Sequence, residues 1–222
     1  MIEPIINKTD KYIVLDLDST LINTFPSIET LEKLNLFSSF TKYEIRKRIY
    51  TIDLHDVIDE PGTGSYTRMW GAIRPGWNRF REFIFSYFKG IIVWSAGQPL
   101  YVDAIVNILF PDSQFQPIIV YTSNNCKGDE FENIYKPLQI LIDDCKIEGL
   151  SIEKIYAIDD REDTFSHNIK NGIQIPVYEP KATEKDILKN DDALLKLENW
   201  FNRDEVKNEK NVQKLNKTSI FN

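Results

Sequence analysis

Apolar residues follow two rhythms along this chain. Residues 12–15 (Tyr-Ile-Val-Leu), 91–94 (Ile-Ile-Val-Trp) and 155–158 (Ile-Tyr-Ala-Ile) are short unbroken apolar runs, and a last apolar run, interrupted by Gln174, extends from Ile173 to Tyr178. Continuous runs of this length, each followed by polar residues, read as strands buried on both faces of a parallel sheet. Between them the apolar spacing widens to three and four. Trp77, Phe80, Ile84 and Tyr87 recur at helical spacing, as do Tyr101, Ala104, Ile105 and Ile108, in a segment closed by Pro111. Pro137, a favourable first-turn residue, opens a third predicted helix through Leu138, Leu141, Ile142 and Cys145. A last helix carries Leu194, Leu195, Leu197, Trp200 and Phe201. Strands alternating with helices predict an α/β fold with a doubly wound parallel sheet.

One stretch breaks the alternation. Residues 24–72 begin with a helix-like segment from Ile28 to Leu36. A predicted β-hairpin over 46–70 follows, with a turn from Pro61 to Gly64. The insertion is too long for a plain connection and reads as a lid or substrate platform. Residues 1–202 are thus expected to form one domain. Beyond Asn202 the chain is polar and rich in Lys and Asn, and residues 203–222 are expected to be a flexible tail.

Charge and cysteine content narrow the field. The formal net charge of −7 comes without a basic face over the body of the chain, which argues against nucleic-acid binding. No apolar run approaches the ~20 residues of a membrane span, and the first residues lack the pattern of a signal peptide. Cys126 and Cys145 form no CxxC pair and are read as reduced thiols of an intracellular protein, cytoplasmic or nuclear.

The chemistry gathers where the apolar runs end, the edge at which ligands bind in open α/β sheets. Asp16 and Asp18 follow the first run. Two carboxylates in one cavity repel, so their proton affinities separate, and one can serve as nucleophile while the other works as acid and base. Ser95 ends the second run, where a hydroxyl beside backbone N–H groups can hold phosphate oxygens or cap a helix. Lys136 stands at a helix start, an unfavourable place for a cation unless an anion is near. Asp159 and Asp160 end the third run, and hard carboxylate oxygens suit Mg2+. In this order the residues supply the parts of a phosphoryl-transfer site.

These motifs resemble the four ordered motifs of the haloacid dehalogenase superfamily. The closer likeness is to its branch of RNA polymerase II C-terminal-domain phosphatases. It is carried by LDLDSTLINT (15–24), by residues 73–109 with Arg74-Pro75-Gly76 and Trp94-Ser95-Ala96, and by residues 134–178. Ser95 stands where the branch usually has Thr, and Ser19 where it often has Glu. The resemblance implies a Rossmann-like fold and a phosphoprotein phosphatase using Mg2+ and an aspartyl-phosphate intermediate. Asp16 would be the nucleophile and Asp18 the general acid/base. Thr20, Ser95 and Lys136 would bind the phosphate, and Asp16, Asp18 (through its backbone carbonyl), Asp159 and Asp160 the metal. Tyr50, Tyr66, Trp70 and Arg74 would line a groove for a phosphorylated protein or peptide, the polymerase tail being the branch's substrate. A small-molecule or nucleic-acid-end phosphatase, and a catalytically silent phosphopeptide-binding module, are the alternatives on the same fold.

Overall fold

The computed structural model describes residues 9–34, 36, 42–55, 64–128, 133–144, 147 and 149–222. Cys145 and the 61–63 part of the predicted turn lie outside them, as do residue 35 and residues 37–41 near the helix-like segment. The described strands are β1 (Tyr12–Leu15), β2 (Ile22–Phe25), β3 (Ile49–His55), β4 (Tyr66–Ile73), β5 (Gly90–Trp94), β6 (Ile119–Tyr121), β7 (Lys127–Gly128), β8 (Ile134–Tyr135), β9 (Ile155–Asp159) and β10 (Gly172–Gln174). The helices are α1 (Glu29–Glu32), α2 (Lys42–Arg46), α3 (Trp77–Tyr87), α4 (Pro99–Leu109), α5 (Gln139–Asp143), α6 (Glu184–Ile187), α7 (Ala193–Phe201) and α8 (Asp204–Asn208).

Five parallel strands form the central sheet in the order β10-β9-β1-β5-β6. Side chains alternate across a strand, so an unbroken apolar run feeds both faces. Ile13 and Leu15 of β1 join a cluster with α3, α4 and α7, while Tyr12 and Val14 join Leu138 and Leu141 on the opposite face. The chain leaves β1 towards β5 and β6 and returns to build β9 and β10 on the other side. The strand order therefore reverses at β1, and the crevice opens beyond its carboxyl end, at Asp16.

The insertion is an antiparallel sheet ordered β2-β4-β3. The predicted hairpin is there as β3 and β4, and β2 adds a third strand that Ile-Asn-Thr-Phe does not announce by alternation. β3 alternates strictly, burying Tyr50, Ile52 and Leu54 against the cluster that holds Tyr101, Val102 and Ile105 of α4. Gly76 takes φ 81°, a left-handed conformation that a side chain would strain, between β4 and α3.

Residues 203–222 differ from the expected flexible tail. Val206, Val212 and Ile220 are 1%, 0% and 5% exposed and belong to the core cluster of Phe201 and Tyr156. Lys217 Nζ donates to the carbonyls of Lys170 and Val212, both at 2.7 Å. Composition missed this because the three anchors are spaced too widely to form a helical or strand period. A chain ending at Asn202 is expected to unfold at a lower urea concentration, since each buried side chain stabilises by ~1.5–3 kcal/mol before the ordering entropy is subtracted. An unchanged midpoint would show that these residues lie on the surface without holding it.

Candidate active site

Strand register assembles the site. Leu15 pairs with Ile158, and the Asp16 N–H donates to the Ile158 carbonyl at 3.0 Å, so Asp16 and Asp159 leave neighbouring strands side by side. On the other flank Leu15 pairs with Val93, which puts Ser95 just beyond the same edge. Lys136 arrives between β8 and α5, its N–H held by the Thr164 carbonyl at 2.6 Å. Its ammonium donates to Asp16 Oδ1 at 2.6 Å and Asp159 Oδ2 at 2.7 Å, and all three side chains are buried. The anion expected beside a cation at this position is thus a pair of carboxylates.

The electrostatics follow from burial. Desolvation pushes Asp16 well above the usual carboxylate range; the Lys136 ammonium pulls it back, and the charge of Asp159 pushes it further up. Burial by itself would lower Lys136, but Asp16 and Asp159 outweigh it and hold the amine protonated. Asp160 is also raised, first by burial and then by Asp159. Asp16, Asp159 and Asp160 each offer an oxygen within 4.8 Å of the others. One ammonium cannot balance these carboxylates, and their hard oxygen atoms fit Mg2+, a cation that prefers oxygen ligands and keeps several waters. The side chain of Asp18 is not in that cluster, and the part expected of Asp18 at the metal is its backbone carbonyl.

Asp18 points elsewhere. The loop after Asp16 coils tightly, with Leu21 and Ile22 N–H both bonded to the Leu17 carbonyl and Ser19 at φ 56°. This orients Asp18 so that its Oδ1 accepts the hydroxyl of Tyr101. Burial raises Asp18 while the Tyr101 hydrogen bond lowers it. Asp18 therefore lies outside the hydrogen-bonded trio of Asp16, Lys136 and Asp159. The helical spacing of Tyr101 carries no signal for where its hydroxyl points.

The predicted phosphate ligands divide. Ser95 is 1% exposed, with its N–H bonded to Tyr121 and its Oγ accepting the Gly97 N–H at 3.0 Å, so a local turn forms at the end of β5. Thr20 is fully buried and turned to the metal side: its hydroxyl donates to Asp160 Oδ1 at 3.2 Å and accepts the Asp160 N–H at 3.1 Å. Thr20 fixes the loop that presents Asp160.

The four predicted groove residues are not brought together. Trp70 is 0% exposed, stacked on Phe25 at 4.2 Å, with its indole N–H donating to Ser27 and Thr30. Tyr50 faces inward because it lies on the buried side of β3, and its hydroxyl meets Thr24 Oγ1 at 2.6 Å. The Arg74 side chain is 1% exposed and tied to Asp191. Tyr66 alone is open, 52% exposed, but it sits at the far end of β4, roughly 23 Å along the strand from Ile73. Aromatic character marked Tyr50, Tyr66 and Trp70 in the sequence; strand parity decided which way they face.

The sequence profile of the family described as NLI interacting factor-like phosphatase matches residues 11–213. No curated protein matches the chain. The structure described as Fcp1, an essential RNA polymerase II CTD phosphatase, superposes with a TM-score of 0.62 at 19% identity, covering 78% of this chain and 43% of that one. A fission yeast RNA polymerase II CTD phosphatase, an Fcp1 variant bound to beryllium fluoride, gives 0.62 at 19% identity, covering 87% and 50%. The chain spans half or less of the length of those proteins, and at this identity the likeness establishes a shared fold.

Proposed function

The chain belongs to the NLI interacting factor-like phosphatase family, and we propose that it removes phosphate from phosphoserine or phosphothreonine in a protein, using Mg2+ and Asp16 as nucleophile. The observation that carries this reading is the Asp16–Lys136–Asp159 arrangement, a buried carboxylate at the sheet's switch point with a fixed cation at 2.6 Å.

Asp16 attacks phosphorus as the bond to the leaving oxygen breaks. The proton that the leaving oxygen needs comes from Asp18. Lys136 remains cationic and offsets charge gathering on the phosphoryl oxygens, where a positive group in a dry site is worth most. The Ser95 hydroxyl and the Ala96 N–H supply the remaining phosphate contacts, the Gly97 N–H being held by Ser95 Oγ. Water then attacks phosphorus, its proton passes to Asp18, and Asp16 is released with inorganic phosphate. Asp16, Asp159 and Asp160 would hold the magnesium ion, which neutralises phosphate charge when bound.

The choice of a protein substrate is supported by the phosphatase family to which the chain belongs and by the two structural neighbours, both RNA polymerase II CTD phosphatases. A phosphorylated tail of that kind is the first substrate to test. With a nitrophenyl phosphate, activity is expected to fall at least tenfold on chelation and to return with Mg2+. Phosphoserine peptides are expected to exceed phosphosugars in kcat/KM. Turnover that survives chelation would remove the metal from the reading, and a preference for phosphosugars would remove the protein substrate.

A further inference from the structure

The inserted sheet is joined to Asp18 by side-chain hydroxyls. Tyr101 of α4, Thr24 of β2 and Tyr50 of β3 form a line of hydroxyls that ends on Asp18. Tyr101 donates to Asp18 Oδ1, the Tyr101 and Thr24 oxygens are 2.6 Å apart, and Thr24 and Tyr50 are again 2.6 Å apart. We propose that this line is a positioning device for the general acid, through which the inserted sheet dictates which oxygen of Asp18 delivers the proton. The proposal rests on the phosphatase reading above.

Proton stoichiometry fixes its direction. Each hydroxyl has one proton to give. Tyr101 spends its own on Asp18, so Thr24 must donate to Tyr101, and Tyr50 must donate to Thr24. Donors aligned in one sense polarise one another. The last acceptor, Oδ1, is engaged in both states of Asp18, because a carboxylate oxygen and a carbonyl oxygen both accept. The transferable proton therefore rides on Oδ2. Nothing has to rotate between giving the proton to the leaving oxygen and taking one from water, which is preorganisation in the useful sense. Burial, followed by the charge of Asp18, raises the Tyr101 phenol, and burial raises that of Tyr50, so both stay protonated as donors.

The surroundings are shaped for this line. Tyr50 and Tyr101 are 7% and 9% exposed. A Cβ on Gly71 would overlap the phenol of Tyr50, and one on Gly97 would come within 2.9 Å of the Tyr101 ring. Both glycines clear the space in which a tyrosine of the line lies.

The test compares leaving groups. Tyr101→Phe and Thr24→Val keep shape and remove one hydroxyl each. kcat/KM reports transfer to Asp16 alone, so it isolates the step in which Asp18 acts as acid. A nitrophenol departs readily without a proton; the alkoxide of phosphoserine does not. Tyr101→Phe is expected to lose on the order of 10²-fold in kcat/KM on a phosphoserine peptide but only a few-fold on nitrophenyl phosphate. Thr24→Val should show the same selectivity at a smaller size. In an Asp18→Asn background, Tyr101→Phe should cost nothing further. Losses equal for both leaving groups, no loss on the peptide, or losses that add to that of Asp18→Asn would overturn the proposal. Wild-type protein that turns over neither ester would overturn the phosphatase reading and the positioning role with it; wild-type turnover with an indifferent Tyr101→Phe overturns the positioning role alone.

Discussion

Asp16→Asn is expected to lower kcat by on the order of 10⁴-fold or more, the scale on which enzymes lose rate when a nucleophile is removed, without loss of stability. An amide keeps the shape and an oxygen for Lys136, so the 2.6 Å hydrogen bond survives. It removes a buried negative charge that desolvation and the neighbouring Asp159 disfavour. A native carboxylate shifted upward loses stability as pH rises through its titration, because the unfolded chain ionises it more readily. The amide escapes that loss, so at neutral and higher pH the variant should melt at or above the wild-type temperature. The covalent route has its own signature: acid-quenched wild-type enzyme should carry substrate phosphate that hydroxylamine releases, and the variant should carry none. A variant that retains a tenth of wild-type activity, or a wild-type enzyme that never carries phosphate, would leave Asp16 as a metal and charge partner only.

The parts of the site that could be read in advance are those written next to a strand. Asp16, Ser95 and Asp159 each follow an apolar run, and the parallel register that brings the runs together also aligns their ends. Lys136 was flagged by an electrostatic misfit at a helix start, and its partners supply the resolution. What escaped reading depends on direction across the fold. Whether Tyr50 and Trp70 face a groove or a core is set by strand parity and by β2, a strand with no alternating pattern of its own. The docking of residues 203–222 depends on isolated apolar residues finding holes in a core made by distant segments. Tyr101 has a helical apolar spacing that explains its ring, while the partner of its hydroxyl comes from a loop 83 residues earlier.

Arg74 provides the second large effect, and it separates a structural role from a substrate role. Four of its five guanidinium N–H groups are engaged: Nε and Nη2 donate to the two oxygens of Asp191 at 3.0 Å each, Nη1 to the Thr20 carbonyl at 2.9 Å, and Nη2 also to the Pro176 carbonyl at 2.7 Å. These bonds join the catalytic loop, the segment after β10 and the start of α7. Arg74→Met fills similar volume but strands a partly buried carboxylate and two carbonyls, a class of change that costs about 3–5 kcal/mol. For a chain of this length that corresponds to a fall in Tm of roughly 10 °C. Arg74→Lys keeps charge but cannot span Asp191 and both carbonyls with a planar fork, so its loss should be intermediate. Because the Thr20 hydroxyl fixes Asp160, the half-saturating magnesium concentration should also rise in Arg74→Met. A groove residue would behave in the opposite way, raising KM for a phosphopeptide while Tm and magnesium dependence stayed at wild-type values. Thermal melts and magnesium titrations on the same variant therefore decide between a pin beneath the catalytic loop and a contact for the substrate.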